Sequence, residues 1–217
     1  MTISVNGSVV NPFQFIFNRA ETISINRRAV TSQTQSRDNT VRTVKRGGQS
    51  WRFDVKLPDG MPWDEVRPYL EAIEYYDRYT TGTVQITGNE YNQWFTKYQG
   101  SAAAADWPTG FTATATEGSS ELTLTTTPAI PGGGRYFASG DIIQLGTNGH
   151  VYSVVGDVTD TTVQLNRPVT DASGSYQLVI GPNVTWSVVC VSMPTWTIFA
   201  RNQIGWSGSF VFYENML

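Results

Sequence analysis

The chain of 217 residues holds one cysteine and one histidine, and only 15% of its residues are charged. A single cysteine excludes an intrachain disulfide. Cys190 lies in the apolar run Trp186-Ser187-Val188-Val189-Cys190-Val191 and reads as a buried strand thiol. A nucleophilic or redox role would need a second cysteine or a histidine beside it. His150 is the one candidate base for a Ser-His-Asp arrangement, and its place after Asn148-Gly149 reads as a surface hairpin position. One His and one Cys do not make a zinc site without carboxylate help. Neither a GxxxxGK[ST] nor a GxGxxG phosphate loop occurs, and Gly132-Gly133-Gly134 reads as a flexible turn. No apolar run approaches the ~18–20 residues of a membrane-spanning helix. The first residues, Met1-Thr2-Ile3-Ser4-Val5-Asn6-Gly7, lack the basic and apolar regions of a signal peptide, so synthesis in a cytosol is expected. Together these absences point away from an enzyme. No catalytic residue, cofactor or metal is expected, and no membrane.

What the chain does have is 40% hydrophobic and 12% aromatic residues, enough for a substantial core. Charge falls well below the ~25% of an average soluble domain, as expected of a subunit whose surface is partly covered in an assembly. The charge is also uneven. Residues 1–56 hold nine Lys/Arg against three acids, a balance of +6, whereas residues 57–217 hold six against fifteen, a balance of −9. Arg27, Arg28, Arg37, Arg42, Lys45 and Arg46 crowd into one stretch. A nucleic-acid footprint is one reading, but the pI is about 5.1 and the stretch has no aromatic residue to stack on bases. The other reading is a solvated or subunit-facing arm, set against a neighbour's acidic segment when copies pack head to tail.

Most segments read as strands. Thr22–Asn26 alternates polar and apolar, and Trp51–Leu57 alternates cleanly over seven residues. Residues Val30–Asn39 are polar, suggesting a long loop or hairpin tip before a short strand at Thr40–Lys45. A single helix is expected, from about Pro62 to Tyr79, with Asp64 and Glu65 near its start and its regular part beginning near Arg67 because of Pro68. From Ser101 the composition shifts to Thr, Gly and Val. Hairpins are expected at residues 111–125 and 141–155, with further strands at 162–165 and 176–180. This spacing suggests a small barrel. Longer aromatic strands follow at Val184–Ser192, Thr195–Ala200 and Trp206–Tyr213. Paired carboxylates for glycoside hydrolysis are available at Asp64/Glu65 and Glu71/Glu74, but these belong to the helix and read as its solvated face. Trp107, Trp186, Trp196 and Trp206 offer a sugar platform or, on alternating strands, a core.

The order of features carries a resemblance: a basic β segment, Gly48-Gln49-Ser50-Trp51-Arg52-Phe53-Asp54-Val55, one helix, an inserted barrel, and a closing pair ending in Phe210-Val211-Phe212-Tyr213-Glu214-Asn215. The layout resembles the distal tail proteins and related tail-tube-like baseplate components of tailed bacteriophages. Within the insert, Ser139–Leu145, His150–Val158 and Leu165-Asn166-Arg167-Pro168 resemble a β-module of phage tail proteins. The resemblance implies a mostly β fold: a tail-tube-like sandwich or barrel from residues 1–104 plus 183–217, with one helix, and an inserted peripheral barrel over 105–182. It implies a homo-oligomeric ring, commonly a hexamer, in the virion tail, assembled in the host cytoplasm and joining the tail tube to a tip or baseplate hub. DNA would pass through the lumen without specific binding. Arg27, Arg28, Arg37, Arg42, Lys45 and Arg46 would then lie at the subunit interface. A tail tube, tube-initiator or other baseplate subunit is the alternative within this class, and a carbohydrate-binding module is the alternative outside it.

Overall fold

A computed structural model of the chain describes residues 2–5, 8–27, 31–45, 49–75, 79–87, 94–199 and 201–216. The fold is mostly β. In chain order the principal elements are β1 (Ile3–Val5), β2 (Ser8–Val10), α1 (Pro12–Asn18), β3 (Thr22–Asn26), β4 (Thr31–Gln35), β5 (Val41–Lys45), β6 (Arg52–Lys56), β7 (Met61–Pro62), α2 (Trp63–Tyr75) and β8 (Thr81–Gln85). There follow β9 (Thr112–Ala115), β10 (Glu121–Thr126), β11 (Ile142–Leu145), β12 (Val151–Ser153), β13 (Thr162–Gln164), β14 (Gly174–Ile180), β15 (Thr185–Ser192), β16 (Thr195–Phe199), β17 (Gln203–Ser207) and β18 (Phe210–Glu214).

Five strands from the two ends of the chain form one antiparallel sheet in the order β3-β6-β18-β15-β8. Side chains alternate across a strand, so Phe53 and Val55 point to one face of β6 and Arg52, Asp54 and Lys56 to the other. Register carries the apolar row across the sheet: Ile25 opposes Phe53, Phe53 opposes Phe212, and Phe212 opposes Cys190. Cys190 is a buried thiol, as its apolar run implies.

Helix α1 covers the apolar face, and it is an element that sequence periodicity did not suggest. Seven residues without a charge give no helical stripe to read. Its start is nevertheless encoded: the Asn11 side chain accepts from the Phe13 and Gln14 N–H groups at 3.0 and 3.3 Å, with Pro12 at the first helical position. Phe13 meets the Phe212 ring edge-on at 5.2 Å and Phe17 meets Phe53 at 5.6 Å. Burying each such ring contributes on the order of 1.5–3 kcal/mol. The same helix seals the β8 edge of the sheet. Asn11 Nδ2 donates to the Thr83 carbonyl (2.6 Å), and the Gln14 amide exchanges two hydrogen bonds with the Gln85 backbone (2.7 and 2.8 Å).

Helix α2 begins at Trp63 rather than near Arg67, so Pro68 lies inside it. The reason is tertiary: the Trp63 N–H donates to the Asn202 carbonyl at 2.8 Å, which fixes the first turn from outside the helix. The helix ends before Tyr79, which sits in a turn. The expected strand Trp206–Tyr213 is broken into β17 and β18, which belong to different sheets. Gly208 lies between them at φ +104°, a left-handed backbone that favours glycine.

Strands β9 to β14 form a second antiparallel sheet in the order β12-β11-β14-β9-β10-β13. The two expected hairpins are present, with Thr123 opposite Thr114 and Ile143 opposite Tyr152. The sheet curls until its outer strands meet at a bridge between Val154 and Leu165, backed by Val155 N–H donating to the Gln164 carbonyl (2.8 Å). Its interior is packed with Phe111, Phe137, Ile143, Tyr152, Val163 and Leu178. Tyr98 and Ala102 also pack there, although they precede residue 105. Conversely, Ile142 and Val151 pack into the core of the five-stranded sheet.

Candidate assembly surfaces

Strands β4 and β5 form a two-stranded arm with register Thr31↔Lys45 through Gln35↔Val41. Among the described residues the two strands pair only with each other. Residues 33–42 are all exposed, and Val41 and Val44 are 58% and 60% exposed. The tip is nevertheless shaped. Ser36 N–H donates to the Thr40 carbonyl and Asn39 N–H to the Ser36 carbonyl, each at 3.0 Å, with Asn39 at φ 61°. The Asp38 carboxylate accepts from the Ser36 hydroxyl and, at 3.2 Å, from the Thr40 hydroxyl. The Ser36 bond above all holds its pKa below the usual carboxylate range.

Of the six basic residues singled out in sequence, Arg37 stands at the arm's tip and Arg42 on β5, both exposed. Lys45 ends β5 opposite Thr31. Arg27 does not share this surface. It is half-buried with its guanidinium 5.1 Å above the Trp51 ring, burial lowers its pKa, and its Nη1 is buried without a hydrogen-bond partner. Arg28 and Arg46 lie outside the described residues.

A second exposed surface was not singled out in sequence. Strand β16 is the edge of the small sheet β16-β17-β7, and every one of its residues is exposed. Trp196 packs against Trp63 with ring centroids 4.6 Å apart and planes tilted by 31°, yet stays 36% exposed, and Ile198 and Phe199 are 50% and 55% exposed. Phe199 lies over Gly205, where an added Cβ would fall 2.3 Å from its ring. Asp59 anchors the base of the hairpin by accepting from Trp206 N–H at 2.8 Å. Asn202 Nδ2 ties its turn to Asp64 at 2.7 Å. Strand periodicity finds β16 but does not say that its aromatics lie outside. The four tryptophans share no surface: Trp186 and Trp206 are buried, Trp196 lies on β16, and Trp107 lines a cleft on the barrel.

The junction between the two sheets is, by contrast, buried and densely hydrogen-bonded, with Arg167 Nε left without a partner. Arg167, one of three basic residues in 99–217, reaches from the barrel into the main sheet with its side chain 1% exposed. Its guanidinium grips both Glu214 oxygens at 2.6 and 2.7 Å and donates to the Gln49 and Val151 carbonyls at 2.7 and 2.8 Å. Trp51 Nε1 adds a bond to the Val151 carbonyl at 2.9 Å. His150 is here too, not on a free hairpin surface. Its Nδ1 lies 3.0 Å from Asp171 Oδ1, and the Tyr152 hydroxyl donates to Asp171 Oδ2 at 2.7 Å. The Asp171 bond raises the His150 pKa; burial pushes Tyr152 up to about 12. Burial works to raise Asp171, but the His150 and Tyr152 bonds hold it below the ordinary range. These pairings read as a structural lock. Among the described residues no group of three His, Cys, Asp or Glu is placed to hold a metal ion, and no helix is long and apolar enough to cross a membrane.

No family model and no curated protein matches the chain.

Proposed function

We propose that this protein is a non-enzymatic structural subunit of a tailed-phage virion. In this reading it is a ring-forming distal tail or baseplate adaptor that joins the tail tube to the tip or hub. It assembles in the host cytoplasm, commonly as a hexamer around a lumen for DNA. The observation that carries the reading is the arm: a preformed strand pair, exposed over residues 33–42 and bearing Arg37 and Arg42, on a chain that is otherwise acidic. Such an element contributes nothing to its own core, and its open strand edges are ready to pair with another chain. The test is negative-stain imaging of the purified full-length protein. Rings of uniform size support the adaptor; isolated particles at every concentration contradict it.

One feature favours a carbohydrate-binding module instead. A cleft of about 450 Å³ on the barrel is lined by Trp107, Thr147, Gln177 and Asn183, an aromatic face beside amide groups. Glycan binding that is lost in Trp107→Ala, from a strictly monomeric protein, would favour that reading.

A further inference from the structure

Among the described residues, two exposed strand surfaces have opposite character. The arm is basic and carries Val41 and Val44 outward. The five residues of β16 hold no charge and expose Trp196, Ile198 and Phe199. Natural proteins blunt such edges with charge, proline or a covering element. The β8 edge of the main sheet shows the device, since Asn11 and Gln14 occupy its outward backbone groups. Strand β16 has no comparable cover among the described residues: β17 pairs with one side of it and its side chains are open to solvent.

From these observations we infer that β16 is the seat of the arm of a second copy of this chain. The inference rests on the assembly reading above and names the surface that receives the arm. Charge selects the occupant. Asp59 lines a hollow of about 130 Å³ together with Trp196, Phe199 and Trp206, and Asp64 is bound to the hairpin's turn. The turn residue Arg201 is the exposed base beside the hairpin and offsets only part of this acidity. Arg37 and Arg42 of an incoming arm meet carboxylates there, while its valines meet Trp196, Ile198 and Phe199. Pairing β16 with a second β16 would instead bring two acidic flanks together. The arm of the same chain does not occupy the seat, because residues 33–42 and all of β16 are exposed in one molecule. Both surfaces are five residues long, which suits strand addition.

The test uses full-length protein with a photoreactive benzoylphenylalanine at Gln33, an exposed arm position, mixed with isotope-labelled wild-type copies. The expected cross-link joins two copies and maps to residues 195–207. Alongside it, Ile198→Lys should raise the concentration needed for assembly by about tenfold or more, as a like charge set against the basic arm. Adding Arg42→Glu to Ile198→Lys should recover part of that loss. Cross-links between copies that map elsewhere, with Ile198→Lys harmless, overturn this inference and leave the assembly reading standing. Assembly that is indifferent to Arg37→Glu/Arg42→Glu overturns this inference alone, whereas a protein that stays monomeric at every concentration overturns both.

Discussion

Arginine is used in two opposite ways in this chain. Arg167 is enclosed at the junction of the two sheets, with both Glu214 oxygens and two carbonyls on its guanidinium. Arg37 and Arg42 stand on an exposed arm, and among the described residues no carboxylate pairs with them. The first cation is spent inside the fold, where removing it strands a charge. The other two are exposed, and in the proposed reading their effect shows in association. The contrast sets an arginine that acts on stability against two proposed to act on assembly.

The junction is the place to break this contrast hardest. Arg167→Met leaves Glu214 buried without its partner and should cost about 3–5 kcal/mol in chemical denaturation. The double variant Arg167→Met/Glu214→Met should regain most of that loss. Equal destabilisation in the single and double variants would show that the pair is not the source. A smaller effect is expected at α1: Asn11→Ala removes the cap and the bond to Thr83, and should lower stability by about 1 kcal/mol in the same assay.

Smaller still is the pH dependence of the His150 contact. Its folded-state pKa is raised above the ordinary 6.5, chiefly by Asp171, so protonated His150 stabilises the folded state. That contribution is complete below the unfolded pKa and is lost as pH rises through the folded one. Asp171 is depressed, so its own contribution is present above the unfolded carboxylate value and fades as pH falls through its folded pKa. Denaturation midpoints should therefore decline from slightly acid to slightly alkaline pH, and His150→Phe should flatten that slope. An unchanged slope in the variant would remove His150 from the account. Least of all, in stability, should be Arg37→Glu/Arg42→Glu: exposed substitutions of this kind stay within about 0.5 kcal/mol.

Much of the architecture was legible because strand alternation is local. Trp51–Leu57 showed which face of β6 is buried, and Asn148-Gly149 marked the turn between β11 and β12. What was not legible depends on distant partners. Trp63 starts a helix five residues before Pro68 because Asn202 supplies a carbonyl. Helix α1 is too short, with five apolar residues in seven, to show a stripe, and its Asn-Pro start was not read as a helix start. Arg167 was not singled out in sequence, and nothing local pairs it with Glu214, 47 residues away. The arm's exposure followed from its polar sequence. The openness of β16 did not, since Thr-Trp-Thr-Ile-Phe reads equally well as an interior strand.

The central claim is that the arm acts between molecules and not within one. Light scattering of wild-type protein and Arg37→Glu/Arg42→Glu at matched concentrations tests it most directly, with thermal unfolding of each as the control. The expected result is a defined oligomer for the wild type and a monomer for the variant, with unchanged unfolding. The same mass for both proteins would contradict it.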